Sequence, residues 1–270
     1  MNKPFRSNSE KFSRSKPSRN SKNTGDIDEP IHLYGYHACE AALRNPARTV
    51  LSAYFTKNMA DKLTAEGISL PNGWNEQRPR DMDKLVDRDA VHQGVILKVD
   101  PIGQPTLEEV RNHDLILILD QVTDPHNVGA IMRSACALGA GAVVTTRRNA
   151  PHESGLLAKT ASGAFEHLPY IQVTNLARAV EETQALGFFA IGLDSEGPSD
   201  LLETVASNNR RNKIALVLGA EGPGLRRLTR EKCDALARLD MNGPIKSLNV
   251  SNAATLSMFI CHQSLKNTDA

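Results

Sequence analysis

The strongest constraint on the fold is an alternation of short apolar runs with helical patterns between residues 113 and about 265. This rhythm is typical of an α/β domain with a mostly parallel sheet, because each parallel strand needs a crossover before the next. The sequence predicts six strands, at 115–120, 142–146, 168–173, 188–193, 214–219 and 235–240. It predicts helices between them, at 128–138, 155–161, 176–186 and, at the end, 248–261.

A smaller α/β unit is predicted before this region, at residues 30–101. It combines helical patterns at 38–43, 60–66 and 81–86 with strand patterns at 50–55 and 94–99. Residues 102–112 are predicted to be a linker with one helical turn at 107–110. The larger domain is then 113–270.

Residues 1–29 are predicted to be a disordered basic arm. Seven Lys or Arg residues precede Asp26 with Glu10 as the only acid, and two phenylalanines are too few to build a core. The arm is either a solvated tail or an RNA-contacting segment that binds phosphates. A third alternative is a mitochondrial transit peptide, against which the lack of an apolar helical stripe argues.

Composition limits the remaining alternatives. The formal net charge is +1, so any basic surface must be local. The four cysteines are far apart and form no C-x-x-C pair, so we expect no metal site and no disulfide framework, and a reducing cytoplasmic setting. No apolar run is long enough for a membrane span, and the N-terminus lacks the apolar segment of a signal peptide.

The first polar cluster covers 120–134, where an apolar strand leads into a helix, a common place for ligand sites in α/β sheets. Asn127 can cap that helix or bind a ligand. Arg133 lies six residues further, within an otherwise apolar segment. A buried arginine needs a partner, so Arg133 is either a structural bridge between two elements or reaches the same cleft as Asn127.

The second cluster, 216–225, runs from a buried strand through a glycine-rich turn into a helix. Glycines allow a ligand to approach the backbone closely. The segment has neither a Walker A sequence nor a G-x-G-x-x-G fingerprint. Glu221 lies at the bend and is available to pair with Arg133.

The third cluster, 241–254, is a loop rich in hydroxyls and amides before the last helix. Ser247 or Asn249 can cap that helix, but the loop holds more polar groups than capping requires. The three clusters are predicted to converge at one end of one sheet. Their groups offer no Ser-His-Asp set, metal-ligand set or carboxylate pair, which argues against hydrolases and glycosidases of those types.

These clusters resemble the three motifs of the SpoU/TrmH class of SPOUT RNA 2′-O-methyltransferases. The matching segments are 124–134, 218–224 and 247–253, and the resemblance covers about 113–265. It implies a trefoil knot formed by threading of the C-terminal segment, and homodimers with the site at the subunit interface. It also implies S-adenosylmethionine bound in a bent shape, mainly through backbone groups, near Gly219, Leu239 and Leu248.

The unit at 30–101 resembles the ribosomal-protein-L30e-like substrate-binding domain found in many of these enzymes. Further identities at 173–178 and 226–231 resemble the members that act on large-subunit rRNA, which implies a guanosine of 23S rRNA as the substrate. Two alternatives stay open: a tRNA ribose methyltransferase, and a non-catalytic RNA-binding protein of ribosome assembly. An unrelated nucleotide-binding protein is disfavoured because both phosphate-binding fingerprints are absent.

The resemblance assigns the catalytic positions to Asn127, Arg133, Glu221, Ser247 and Asn249. A guanidinium is always protonated and is a poor proton acceptor. We therefore expect Arg133, Asn127 and Ser247 to orient the ribose hydroxyl while a phosphate or water takes the proton. Glu221 is expected to hold Arg133, and Asn249 to fix the third loop.

Overall fold

The computed structural model describes residues 29–103, 105–208, 212–244 and 247–268. The predicted arm at 1–29 therefore lies outside the described residues, apart from Glu29. Two β-sheets organise the described chain, one in each of the two predicted α/β regions. They are called here the N-terminal unit (30–101) and the C-terminal unit (113–268).

The N-terminal unit is built on a mixed sheet with the order β1-β4-β2-β3. Its strands are β1 (Ile31–Tyr34), β2 (Val50–Phe55), β3 (Asn75–Glu76) and β4 (Val95–Val99). Its helices are α1 (Tyr36–Arg44), α2 (Lys57–Ala65) and α3 (Pro79–Met82). The sequence did not predict β1, and it placed α3 too late. The helix begins at Pro79 because proline is favoured in the first turn, where its missing N–H is not needed.

The C-terminal unit is built on a sheet with the order β7-β6-β5-β10-β8-β11-β9, parallel throughout its described pairings. Its strands are β5 (Leu115–Asp120), β6 (Val143–Thr146), β7 (Tyr170–Val173), β8 (Phe189–Leu193), β9 (Ser199–Asp200), β10 (Ile214–Gly219) and β11 (Ala235–Arg238). The six predicted strands are confirmed, with ends shifted by at most two residues. The added strand, β9, is too short to show a period in the sequence.

The helices of the C-terminal unit lie between and after these strands. They are α4 (Pro125–Ala137), α5 (Gly155–Ala161), α6 (Leu176–Ala185), α7 (Leu201–Ala206), α8 (Arg227–Lys232) and α9 (Val250–Thr268). The sequence did not predict α7, whose first turn is capped by the Asp200 carboxylate at 2.7 Å from the Leu202 N–H. The predicted turn at 107–110 is confirmed as a short 3-10 helix.

Both faces of the parallel sheet are covered by apolar side chains. On β5, Leu117 packs into the core that also includes α4, whereas Ile116 and Ile118 pack into the core below α6. All six residues of β5 are buried, including Asp120 at its end. Since both faces are apolar, ligand chemistry in this unit is confined to the sheet edges.

The carboxyl edge beside β5 and β10 is the favoured place for such chemistry. The chain leaves β5 toward β6 and β7 on one side, then returns to β8 on the far side of β10. Ligands of open α/β sheets bind where the strand order reverses in this way. The Asp120 end of β5 pairs directly with the Gly219 end of β10, so the loops that follow both strands start side by side.

Within the described ranges, no helix combines the length and apolar character needed to cross a membrane.

Candidate active site

Three loops meet at the carboxyl edge of the parallel sheet, as the sequence predicted. They follow β5, β10 and β11, and two of them lead into α4 and α9. Asn127 lies in the first turn of α4, Glu221 in the second loop and Asn249 at the end of the third. Hydrogen bonds among these three side chains join segments that are 28 to 122 residues apart in the sequence.

Glu221 is the centre of this hydrogen-bond network. Its Oε1 accepts from Asn249 Nδ2 at 2.7 Å, from the Val250 backbone N–H at 3.2 Å and from Asn127 Nδ2 at 3.5 Å. The carboxylate therefore lies at the N-terminus of α9, where negative charge is favoured by the helix dipole. It fixes the second loop to both neighbouring helices.

Asn249 closes the network and also caps α9. Its Nδ2 donates to Asn127 Oδ1 at 3.0 Å as well as to Glu221. Its Oδ1 accepts from the Ser251 N–H at 2.9 Å and from Ser251 Oγ at 2.6 Å. The helix begins at Val250 rather than at the predicted 248, because the Asn249 side chain satisfies its first turn.

The loop after β10 depends on a close approach between backbone segments. A Cβ on Gly219 would lie 2.1 Å from the carbonyl carbon of Gly224 and 2.4 Å from the Leu225 nitrogen. Gly222 and Gly224 both have positive φ, at 83° and 67°. These conformations strain other residues, so the glycines fold the loop into the turn that presents Glu221.

The predicted pairing of Glu221 with Arg133 is not found within one chain. Arg133 is exposed, and the described partners of Glu221 are Asn127, Asn249 and Val250. Six residues turn a helix by about 600° and advance it by about 9 Å, so Arg133 points about 120° away from Asn127. The expectation that Arg133 is a buried charge inside α4 is wrong for the same reason.

Asn127 does not cap α4, which corrects one interpretation of the sequence. The helix begins at Pro125, and the Asp124 carboxylate caps it by accepting from the His126 N–H at 3.0 Å. This leaves the Asn127 side chain free of a capping role. Its amide is instead directed to Asn249 and Glu221.

The other predicted positions lie at the same edge but outside this network. Ser247 is exposed two residues before Asn249. Leu248 is 36% exposed, and Leu239 is half-buried against the core just after β11. Together with Gly219, the two leucines place apolar surface and accessible backbone around the three loops.

Sequence reasoning missed an ion pair between a buried carboxylate and a half-exposed arginine beneath the site. Asp120 is fully buried, and its two oxygens accept from Arg226 Nε at 2.6 Å and from the Arg226 backbone N–H at 3.0 Å. The pair anchors the end of the second loop to the end of β5. The signal was available, because an acid that ends a wholly apolar strand needs a partner when it is buried.

Two cysteines of the C-terminal unit are poor candidates for a nucleophile. Burial, with Asp234 and Asp120 adding to it, raises the pKa of Cys233 to about 12. Burial also raises the pKa of Cys136 on α4. Both thiols are therefore protonated at neutral pH and are weak nucleophiles.

Comparisons with known proteins match both units. Residues 114–259 match the model of the SpoU rRNA methylase family, and residues 32–105 match the model described as RNA 2′-O ribose methyltransferase substrate binding. The 23S rRNA (guanosine-2′-O-)-methyltransferase RlmB of Ralstonia nicotianae is 40% identical over 238 residues, which cover 84% of this chain and 93% of that protein. RlmB of Pseudomonas aeruginosa is 39% identical, with 84% and 94% covered.

Solved structures agree on the fold. The SpoU methyltransferase AviRb from Streptomyces viridochromogenes superposes with a TM-score of 0.73 at 21% identity, covering 88% of this chain and 90% of that one. The same protein in complex with the cofactor AdoMet gives a TM-score of 0.72 at 22% identity, covering 87% and 89%. At this level of identity the likeness supports the architecture alone.

Proposed function

Because the chain belongs to the SpoU rRNA methylase family, we propose that it methylates a ribose 2′-hydroxyl of 23S rRNA, at a guanosine, using S-adenosylmethionine. The observation that carries this proposal is the network of Asn127, Glu221 and Asn249 at the carboxyl edge. Each of the three residues comes from a different one of the three family motifs. The substrate is taken from the names of the relatives, which are similar over most of the chain.

The residues at this edge fit S-adenosylmethionine. The close approach at Gly219 fixes the turn of the second loop, and Leu248 and Leu239 offer apolar surface for an aromatic ring. When bound, the cofactor supplies a methyl group on a positively charged sulfur. The loops have only to hold it and the ribose in line, since the sulfonium is already reactive.

The polar residues of the chain position the nucleophile. Glu221 and Asn249 hold the three loops together, so that Asn127 and Ser247 are presented to the ribose. Arg133 orients the hydroxyl or a neighbouring phosphate through its planar fork. A phosphate or water accepts the proton, because the guanidinium stays charged.

The exposed position of Arg133 supports a homodimer in which it serves the partner's site. Ser134 Oγ, next in the chain, is 2.9 Å from Thr255 Oγ1 on α9, so the turn of α4 that carries Arg133 packs beside that helix. On α9, Leu256 and Phe259 are 48% and 51% exposed and share one face. A second copy packed on this face would cover the apolar side chains and receive Arg133 near its own loops.

Recognition of RNA is assigned to three parts of the chain. The N-terminal unit, as a domain of residues 30–101 joined by the linker 102–112, recruits the RNA. Arg147 and Arg148 follow β6 at the same carboxyl edge as the candidate site, and both are exposed. Because the formal net charge of the chain is only +1, binding to RNA phosphates depends on local positive charge, which these two arginines supply. The arm at 1–29 adds phosphate contacts.

The trefoil knot and a cytoplasmic location complete the proposal. The knot is supported by the insertion of β10 between β5 and β8, and by the packing of α9 against α4, α7 and β10. A reducing cytoplasm is supported by the four cysteines, all of them free thiols, and by an rRNA substrate.

The first experiment is transfer of a tritiated methyl group to unmodified 23S rRNA, with tRNA in parallel, followed by mapping of the labelled ribose. Label at one guanosine of 23S rRNA that is lost in Arg133→Ala supports the proposal. Label in tRNA alone would support ribose methylation and refute 23S rRNA as the substrate. Failure to bind S-adenosylmethionine in a calorimetric titration would favour a non-catalytic RNA-binding protein.

Mixing two inactive variants tests the shared site. In a heterodimer of Arg133→Ala and Glu221→Ala subunits, one site combines the intact loops of the first with the intact Arg133 of the second. Random mixing should therefore recover about a quarter of the native activity. No recovery, with heterodimers present by mass spectrometry, would place Arg133 in the site of its own subunit.

A further inference from the structure

We propose that Arg48 is a positioning residue that locks the N-terminal unit onto the C-terminal unit, so that RNA is held at a fixed distance and angle from the methylation site. This inference rests on the proposed function, because it assigns the N-terminal unit to RNA. It concerns the seam between the two units and not the residues of the site.

Arg48 lies in the turn between α1 and β2, yet its partners belong to the other unit. Nη2 is 2.6 Å from Glu166 Oε1 and 2.7 Å from Glu153 Oε1, and Nε lies 3.1 Å from Glu166 Oε1. The three side chains are 0%, 2% and 10% exposed, with Arg48 the most buried. Glu153 precedes α5 and Glu166 follows it, so one guanidinium joins the segments on either side of that helix.

The cluster of Arg48, Glu153 and Glu166 also binds chain segments on both sides of the seam. Arg48 Nη1 donates to the Asp100 carbonyl at the end of β4, at 2.9 Å. Just beyond, the Ile102 N–H donates to Glu153 Oε2 at 2.9 Å. Asn45 Nδ2 donates to Glu166 Oε2 at 2.8 Å. The start of the predicted linker is therefore bound to the C-terminal unit.

Backbone segments of the two units also approach each other closely at the seam. A Cβ on Gly155, at the start of α5, would lie 2.3 Å from the His32 carbonyl oxygen of β1. A Cβ on Gly163 would lie 2.9 Å from the Cβ of Ala41 on α1. The apolar core runs continuously from the N-terminal unit into the C-terminal unit. These contacts make the two units one packed body.

The charges explain why the cluster sets orientation. Two carboxylates share one guanidinium in a buried place, and burial raises the pKa of Glu153 despite its ion pair. Buried ion clusters add little net stability compared with apolar packing, because desolvation offsets the attraction. Their geometry is directional, however, because a planar guanidinium with hydrogen-bond partners on Nε, Nη1 and Nη2 constrains where each partner lies. The ion cluster therefore adds a directional constraint to the close packing at the seam.

A fixed seam has a consequence for the RNA. The surface of the N-terminal unit and the carboxyl edge of the C-terminal unit must be bridged by one folded RNA. Loss of the Arg48 ion pairs should weaken productive binding of long rRNA without affecting the cofactor. The cofactor positions lie in the loops after β10 and β11, which are across β5 from β6 and β7.

The test is Arg48→Met in the full-length protein, with Arg44→Met as the matched control. Arg44 is at the end of α1, is 51% exposed, and pairs with Glu40 of its own helix. Hydrogen exchange at Ile102 should speed up in Arg48→Met and stay unchanged in Arg44→Met. The KM for 23S rRNA should rise about tenfold or more, with kcat within about twofold and an unchanged cofactor Kd.

A second variant guards against simple unfolding, because Arg48→Met leaves two carboxylates buried. The triple variant Arg48→Met, Glu153→Gln, Glu166→Gln removes those charges. It should show the same rise in the KM for 23S rRNA as Arg48→Met, and its Tm should be higher than that of Arg48→Met. Faster exchange at Ile102 with an unchanged KM would overturn the proposal, as would equal losses of RNA and cofactor binding. A native protein that methylates no rRNA would instead refute the proposed function. Hydrogen exchange at Ile102 would still show whether Arg48 holds the two units together.

Discussion

Replacement of Gly219 by alanine should disrupt cofactor binding through one steric conflict. The added Cβ would lie 2.1 Å from the Gly224 carbonyl carbon, more than 1 Å short of the 3.4 Å at which ordinary contact begins. The obstructing atoms are backbone atoms, so the turn that carries Glu221 must move. Overpacking of this kind costs about 1–3 kcal/mol of folding stability. A displacement on the order of 1 Å at a positioned group costs about 10²-fold in rate.

The assay is a calorimetric titration with S-adenosylmethionine, joined to a measurement of methyl transfer. The Kd of Gly219→Ala should rise at least about tenfold, equivalent to about 1.4 kcal/mol. Gly243→Ala is the matched control, because it lies in the third loop and its Cβ would meet nothing within 4 Å. If both variants bind the cofactor with native affinity, the close approach at Gly219 does not organise the cofactor site.

Four further predictions concern three single side chains and the N-terminal arm. Arg133→Ala should lower kcat at least about 10²-fold. Arg133→Lys should not restore near-normal turnover, since a point charge cannot replace the planar guanidinium. Native turnover of the lysine variant would refute the role of Arg133 in orienting the ribose hydroxyl. Arg226→Ala should cost about 1–3 kcal/mol in urea denaturation, because it removes the Nε–H donor of the fully buried Asp120 carboxylate; an unchanged midpoint would contradict this. Burial raises the folded pKa of Glu153 above its usual 4.5, so ionisation of this carboxyl lowers the stability of the fold as pH rises from the unfolded pKa through the folded one. The Tm of Glu153→Gln should therefore rise relative to that of the native chain between acid and neutral pH. A Tm difference that does not change with pH would contradict the raised pKa. Deletion of residues 1–29 should weaken RNA binding and flatten its salt dependence while sparing cofactor binding; an unchanged salt slope would exclude a phosphate-binding arm.

Much of the fold was predictable because its signals are local. The strands of the parallel sheet are nearly continuous apolar runs, and each is followed by a helical period or a turn. Strands β5 and β10 were predicted to the residue. The elements that the sequence missed are short or are defined by partners: β1 needs β4 beside it, and β9 is only two residues long.

The candidate site was predictable as a set of loops, but not as a set of contacts. Asn127, Glu221 and Asn249 come together as expected, because all strands of a parallel sheet have their carboxyl ends at one edge. The pairing of Glu221 with Arg133 is not found within one chain, because the rotation of about 100° per residue along α4 directs Arg133 away from Asn127. Asn249 took the place of Arg133 as the partner of Glu221, which no spacing in the sequence indicates.

The sequence by itself determined the α/β class, the positions of most strands and helices, and the three polar loops. These follow from periodicity and from the conformations that each residue type allows, which act over a few neighbours. Only the tertiary structure decided which charges meet: Asp120 with Arg226, 106 residues apart, and Arg48 with Glu166, 118 residues apart. A buried charge reveals that it needs a partner, but the partner is selected by how distant segments pack, and that information is spread over the whole chain.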